Sequence, residues 1–187
     1  YKVWLYDIRE DKLKKIAKGG YKLDREIDLT YPIIAWHPTS KVLTFLEEKK
    51  GGIQLNIFDV ETRKNTPRPV SKLEKVLSMD YNSEGKQLIM SAVNNGQTDI
   101  YLYNVIGGNK IQLTNDIFDD LYPSFVDGDS KVIFSSNRLD DTIRRSTEIK
   151  SYDPQLDLYI LNIEKPTKPL QRLTETPFVN ETKAYQY

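Results

Sequence analysis

The sequence predicts an all-β chain of the propeller class, and three observations carry that prediction. First, one apolar pattern with a polar fifth place recurs four times, at 3–8, 55–60, 100–105 and 158–163. The polar places are Asp7, Asp59, Asn104 and Asn162, at a spacing of roughly 45 to 60 residues. Second, an offset family of β-rich runs flanks tight turns: Ile33 to Trp36 before Pro38-Thr39-Ser40 and Val42 to Phe45, Leu77 to Met79 before Asn82-Ser83-Glu84-Gly85 and Leu88 to Met90, Pro123 to Phe125 before Asp127-Gly128-Asp129 and Val132 to Phe134. Turn residues between short β-rich runs read as hairpins. Third, Leu113-Thr114 aligns with Leu173-Thr174, Phe118 with Phe178 and Phe125 with Tyr185, all at one common offset. A period of about 40 to 50 residues holding four strands is a propeller blade; a generic antiparallel sandwich shares the short strands but not the repeat.

In chain order, 1–20 read as the outer strands of one blade, 31–70 and 76–114 as full blades, 121–174 as a blade with an insertion at 138–155, and 183–187 as the start of the next. Trp36, Met79, Phe125 and Tyr185 are expected at equivalent inner-strand positions, and Phe118 and Phe178 in matching interblade pockets. The three and a half to four blades visible leave sheet edges uncovered, so a larger ring of six to eight blades is expected.

Composition narrows the function. Lys plus Arg and Asp plus Glu are both 27, so the net charge is zero; nucleic-acid binding needs a basic excess. No apolar run is long enough to span a bilayer as a helix, and residues 1–8 lack the apolar block of a targeting segment. The absence of cysteine excludes disulfides and thiolate metal sites, and the single histidine, His37, excludes a multi-histidine centre. No phosphate-cradling glycine motif and no G-x-S-x-G occurs, so neither a cofactor nor catalysis is expected. His37, between Trp36 and Pro38, reads as a hydrogen-bonded structural residue.

The run Leu-Thr-Asn-Asp-x-Phe-Asp-Asp-x-x-Pro-Ser-Phe at 113–125, then Asp127-Gly128, then Val-Ile-Phe-Ser-Ser-Asn-Arg at 132–138, resembles the repeat of TolB-type (WD40-like) β-propellers; Asp-Ile-Tyr-Leu-Tyr-Asn at 99–104 continues the match. The resemblance implies a non-enzymatic protein-interaction scaffold in a bacterial cell envelope or periplasm. A second implication is the substrate-gating propeller of a prolyl-oligopeptidase-type serine peptidase whose catalytic domain lies outside these residues. A carbohydrate-active propeller would want clustered acids and tryptophans around its channel, and only Trp36 lies on an inner strand.

Antiparallel geometry puts second-to-third turns and interblade links on one face, and first-to-second and third-to-fourth turns on the other. The insertion therefore shares a face with the link at 115–121. Arg138, Arg144, Arg145 and Tyr152 of the insertion and Asp119 and Asp120 of the link are the expected partner contacts, because arginine and tyrosine dominate interface energetics; a tolerated insertion without a role is the alternative. Asp116, Asp119 and Asp120 are expected to hold the link through backbone hydrogen bonds. They cannot converge on a cation with Asp127 and Asp129, which belong to the opposite face, so no metal site is expected. The basic segment from Arg9 to Arg25 reads as a solvated outer strand, or else as a surface for an acidic partner or membrane.

Overall fold

The computed structural model describes residues 1–19, 32–49, 52–139, 155–165 and 169–185, and these contain only strands, turns and loops. β1 (Lys2–Asp7) and β2 (Lys12–Lys18) form a two-stranded sheet. Three four-stranded antiparallel sheets follow, each in chain order. Blade 1 holds β3 (Ile34–Trp36), β4 (Val42–Lys49), β5 (Gly52–Asp59) and β6 (Asn65–Val70). Blade 2 holds β7 (Lys75–Tyr81), β8 (Gln87–Asn94), β9 (Gln97–Asn104) and β10 (Lys110–Gln112). Blade 3 holds β11 (Asp120–Val126), β12 (Lys131–Ser136), β13 (Asp157–Asn162) and β14 (Gln171–Arg172). The architecture is a partial β-propeller.

Period-two burial builds the boundaries between blades. On β8, Leu88, Met90 and Ala92 face blade 1, where, with Val76 of β7, they join Leu46 and Leu55; Ile89 faces blade 3, where it joins Val132, Phe134 and Tyr159. Val3 seals β1–β2 on blade 1 through Leu43, Phe45 and Phe58. Each such fully buried side chain contributes about 1.5–3 kcal/mol.

The recurrent polar fifth place has a mechanical explanation. Asp7 Oδ1 accepts the N–H groups of Arg9 and Glu10, Asp59 Oδ1 that of Thr62, Asn104 Oδ1 those of Ile106 and Gly107, and Asn162 Oδ1 that of Lys165. Every third-to-fourth turn is thus closed by its own Asp or Asn side chain. A backbone bond then ties it to the first-to-second turn of the same blade: Val60 N to Lys41 O, Val105 N to Lys86 O and Ile163 N to Ser130 O.

Three expectations need correction. Trp36 pairs with Leu43 and Phe125 with Val132, but the residue on that rung in blade 2 is Tyr81, paired with Leu88; Met79 lies two residues further from the turn, opposite Met90. The length of the turn fixes the register more firmly than apolar similarity does. Tyr185 is exposed and in no strand; an inner strand forms by pairing with the strand after it, and none follows within these residues. Phe178 is 93% exposed, whereas Phe118 is half-buried against Arg138; no arginine stacks on Phe178 among the described residues.

Candidate functional site

An axial groove and a buried polar cluster concentrate the unusual chemistry. The groove is a cavity of about 390 Å³ between the inner strands β3, β7 and β11. Its walls are Ile33, Ile34 and Ala35 from blade 1, Leu77, Ser78, Met79 and Asp80 from blade 2, and Tyr122 and Pro123 from blade 3. Lys183 and Tyr185 also line it, with Lys183 Nζ 5.2 Å from the Tyr122 ring centre. Asp80 is the carboxylate of the lining. Ser124 Oγ donates to it at 2.7 Å and the Tyr81 N–H at 2.9 Å, while burial raises its pKa.

The buried cluster lies at the boundary between blades 2 and 3. Asp99 sits on β9, Asp116 in the link, Asp120 at the start of β11 and Arg138 just past β12. Arg138 is fully buried, and its Nη2 reaches both oxygens of Asp120 at 2.6 and 2.7 Å. Its Nη1 lies 3.1 Å from Asp116 Oδ2, and its Nε donates to Ser136 Oγ at 3.0 Å. The guanidinium sits 5.5 Å from the Phe118 ring centre and 5.7 Å from those of Phe134 and Tyr159, within cation–π range. Asp99 accepts from Gln112 Nε2 at 2.9 Å, the Asp116 N–H at 3.3 Å and Thr114 Oγ1 at 3.4 Å.

Burial, reinforced by the charges of Asp120 and Asp116, pushes the Asp99 carboxyl up to about 7. Burial raises Asp116 to about 6 against the downward pull of Arg138. Arg138 is held above its usual value, because Asp120 and Asp116 outweigh the opposing effect of its burial.

Blade 3 repeats part of this arrangement with one substitution. Leu158 N donates to Thr174 Oγ1 as Ile100 N does to Thr114 Oγ1, and Asp157 stands where Asp99 does. Arg172 replaces Gln112 and binds Asp157 through Nε at 3.1 Å and through Nη2. The acid of blade 3 therefore has its own cation.

The link and the end of β12, where the insertion begins, share a face, as antiparallel geometry requires: the Asp119 N–H donates to Asn137 Oδ1 at 2.9 Å. Of the expected partner contacts, Asp119 is exposed. Arg138 and Asp120 are corrected: their charged groups are buried against each other and offer nothing to a partner. Arg144, Arg145 and Tyr152 lie outside the described residues. Asp116 does hold the link through the Phe118 N–H at 3.0 Å, but the Asp120 carboxylate holds Arg138 instead. Asp127 pairs with Lys131 at 2.7 Å and Asp129 accepts from Ser83, both on the opposite face. Asp99 is the residue that sequence reasoning misses. Its signal is an acid five residues before the polar turn residue Asn104, repeated at Asp157 before Asn162.

No family model and no curated protein matches the sequence. Solved structures do match. TolB from Acinetobacter baumannii superimposes with a TM-score of 0.61 at 17% identity, over 94% of this chain and 38% of that one. The putative TolB from Agrobacterium tumefaciens gives 0.58 at 14% identity, over 86% and 51%. The β-propeller domain of the Trilobed protease from Pyrococcus furiosus gives 0.54 at 10% identity, over 93% and 48%. These likenesses are of fold: the chain has a TolB-like propeller fold and spans only part of the length of either TolB chain. No helix among the described residues is long and apolar enough to cross a membrane.

Proposed function

We propose that the chain is part of a non-enzymatic protein-interaction scaffold, a TolB-like propeller of a bacterial cell envelope. The observation that carries this reading is the axial groove. Its lining alternates apolar side chains with polar groups, among them Ser78, Lys183 and Asp80, the last already engaged by Ser124 and Tyr81. Ile34 and Trp36 on β3 are about half exposed beside it. Such a surface suits the docking of a partner segment, through apolar anchors and main-chain hydrogen bonds. The envelope location follows from the resemblance of the repeat at 113–138. A second contact region is proposed on the face of Asp119, where Arg144, Arg145 and Tyr152 of the insertion would meet the partner.

The test is capture from envelope extract by the full-length polypeptide, with and without Ile34→Asp. The charge is placed on an exposed side chain and leaves the blade boundaries untouched. Loss of the captured partner with an unchanged melting curve supports the reading; undiminished capture rejects the groove as the contact surface. The competing reading is a gate for an adjoining serine peptidase. It predicts a G-x-S-x-G segment in the same polypeptide and hydrolysis of peptides by the intact protein.

A further inference from the structure

The charges at the boundary between blades 2 and 3 do not balance. Three carboxylates, those of Asp99, Asp116 and Asp120, bring oxygens within 4.8 Å of one another, and one guanidinium, that of Arg138, faces them. All four residues are at most 1% exposed, so no bulk water screens them. Asp116 and Asp120 are paired with Arg138, whereas among the described residues Asp99 accepts from the neutral donors Gln112, Thr114 and the Asp116 N–H. Full ionisation would leave two buried negative charges without counter-ions among the described residues, which a protein interior tolerates poorly.

We propose that this cluster is a proton-operated joint between blades 2 and 3, closed while Asp99 holds a proton and loosened when that proton passes to solvent and three carboxylates are left to repel one another around one guanidinium. The titratable and charged groups facing Asp99 are Asp116 of the link, Asp120 of β11, Arg138 beyond β12 and Tyr101 of β9 itself; β10 and the residues after it contribute the neutral Gln112 and Thr114. With the Asp99 carboxyl raised to about 7, the proton leaves near neutrality. The folded value lies above the unfolded one, so the contribution is complete below the unfolded pKa of about 4 and is lost as pH rises through about 7. Because Arg138 is the first residue of the insertion, the joint sets how firmly the root of that loop is held. Blade 3 supplies an internal control, since Arg172 already balances Asp157.

Hydrogen exchange of the full-length polypeptide tests the joint. Between about pH 5.5 and about pH 8.5, and corrected for intrinsic exchange, protection of peptides covering 116–120 and 133–138 should fall at least about tenfold. Peptides covering 157–162 and 171–174 should not change. Asp99→Asn, a neutral stand-in for the protonated acid, should hold high protection across the range. Constant protection in the wild type, or a variant that loosens in step with it, overturns the proposal. Should Asp99→Asn not fold, infrared spectroscopy of the wild type decides: a buried protonated-carboxyl band near pH 6 that vanishes by about pH 8.5 supports the joint, and no band near pH 6 overturns it.

Discussion

The imidazole of His37 lies where a side chain on Gly85 would have to go: a Cβ built on Gly85 falls on the His37 ring. The contact joins the first-to-second turns of blades 1 and 2, and the His37 ring also meets Tyr81 edge-on at 5.1 Å. Gly85 has φ +69, a conformation other residues adopt at a cost. Gly85→Ala should therefore destabilise by about 2–4 kcal/mol, part backbone strain and part overpacking. In a His37→Ala background only the backbone part, about 1 kcal/mol, should remain. Urea denaturation of the four proteins closes the cycle; equal costs in both backgrounds would remove His37 from the account.

Arg138→Met should cost about 3–5 kcal/mol, because it leaves Asp116 and Asp120 buried without their cation. Adding Asp120→Asn should recover part of that loss. Denaturation midpoints of the single and double variants measure it, and an additive pair would contradict the coupling.

Phe118→Ala should cost about 1–3 kcal/mol, less than a fully buried phenylalanine, since the ring is half-buried and one of its contributions is the stacked Arg138. Phe178→Ala should be nearly neutral, within about 0.5 kcal/mol, because its ring is exposed. The difference between the two midpoints tests the repeat alignment at the level of energy.

Removing residues 139–152 shortens one hairpin loop without touching β12 or β13. The fold should survive and partner capture should weaken. A folded deletion variant with full capture would move the contact surface to the axial groove alone.

Trp4, Tyr6, Ile8 and Leu13 are exposed on β1–β2 and the turn between them. Contiguous apolar surface of this kind drives association. The chain by itself should sediment as a self-associating species, and Trp4→Lys with Leu13→Glu should shift it towards monomer. An unchanged distribution would show that this face takes no part.

The blade order was legible because turn chemistry and period-two burial are local: Asn82, Asp127 and Gly128 announce their turns, and β8 alternates between two boundaries. The Met79 assignment failed because apolar runs slide along a strand at little cost in pattern, and only the count from the turn discriminates Met79 from Tyr81. The roles of Arg138 and Asp120 were hidden for a different reason. Both look like surface residues in isolation, and their burial arises from meeting each other 18 residues apart. Asp99 lies further still from Arg138 along the chain, so a strand-by-strand reading assigns it no partner.

Among the described residues, each polar tie between blades crosses a single boundary. Arg68 reaches Ile106 O at 2.5 Å, Lys110 reaches Ser71 O at 2.6 Å and Thr44 meets Tyr81 at 2.7 Å between blades 1 and 2. Ser91 reaches Asp120 O at 2.6 Å between blades 2 and 3, beside the buried arginine. None of these ties spans two boundaries. Under tension applied at its ends, the chain therefore behaves as links in series. Extension should proceed in discrete steps of one blade each, with the step that separates blades 2 and 3 demanding the largest force, and a blade gained or lost by duplication would disturb only its two immediate neighbours.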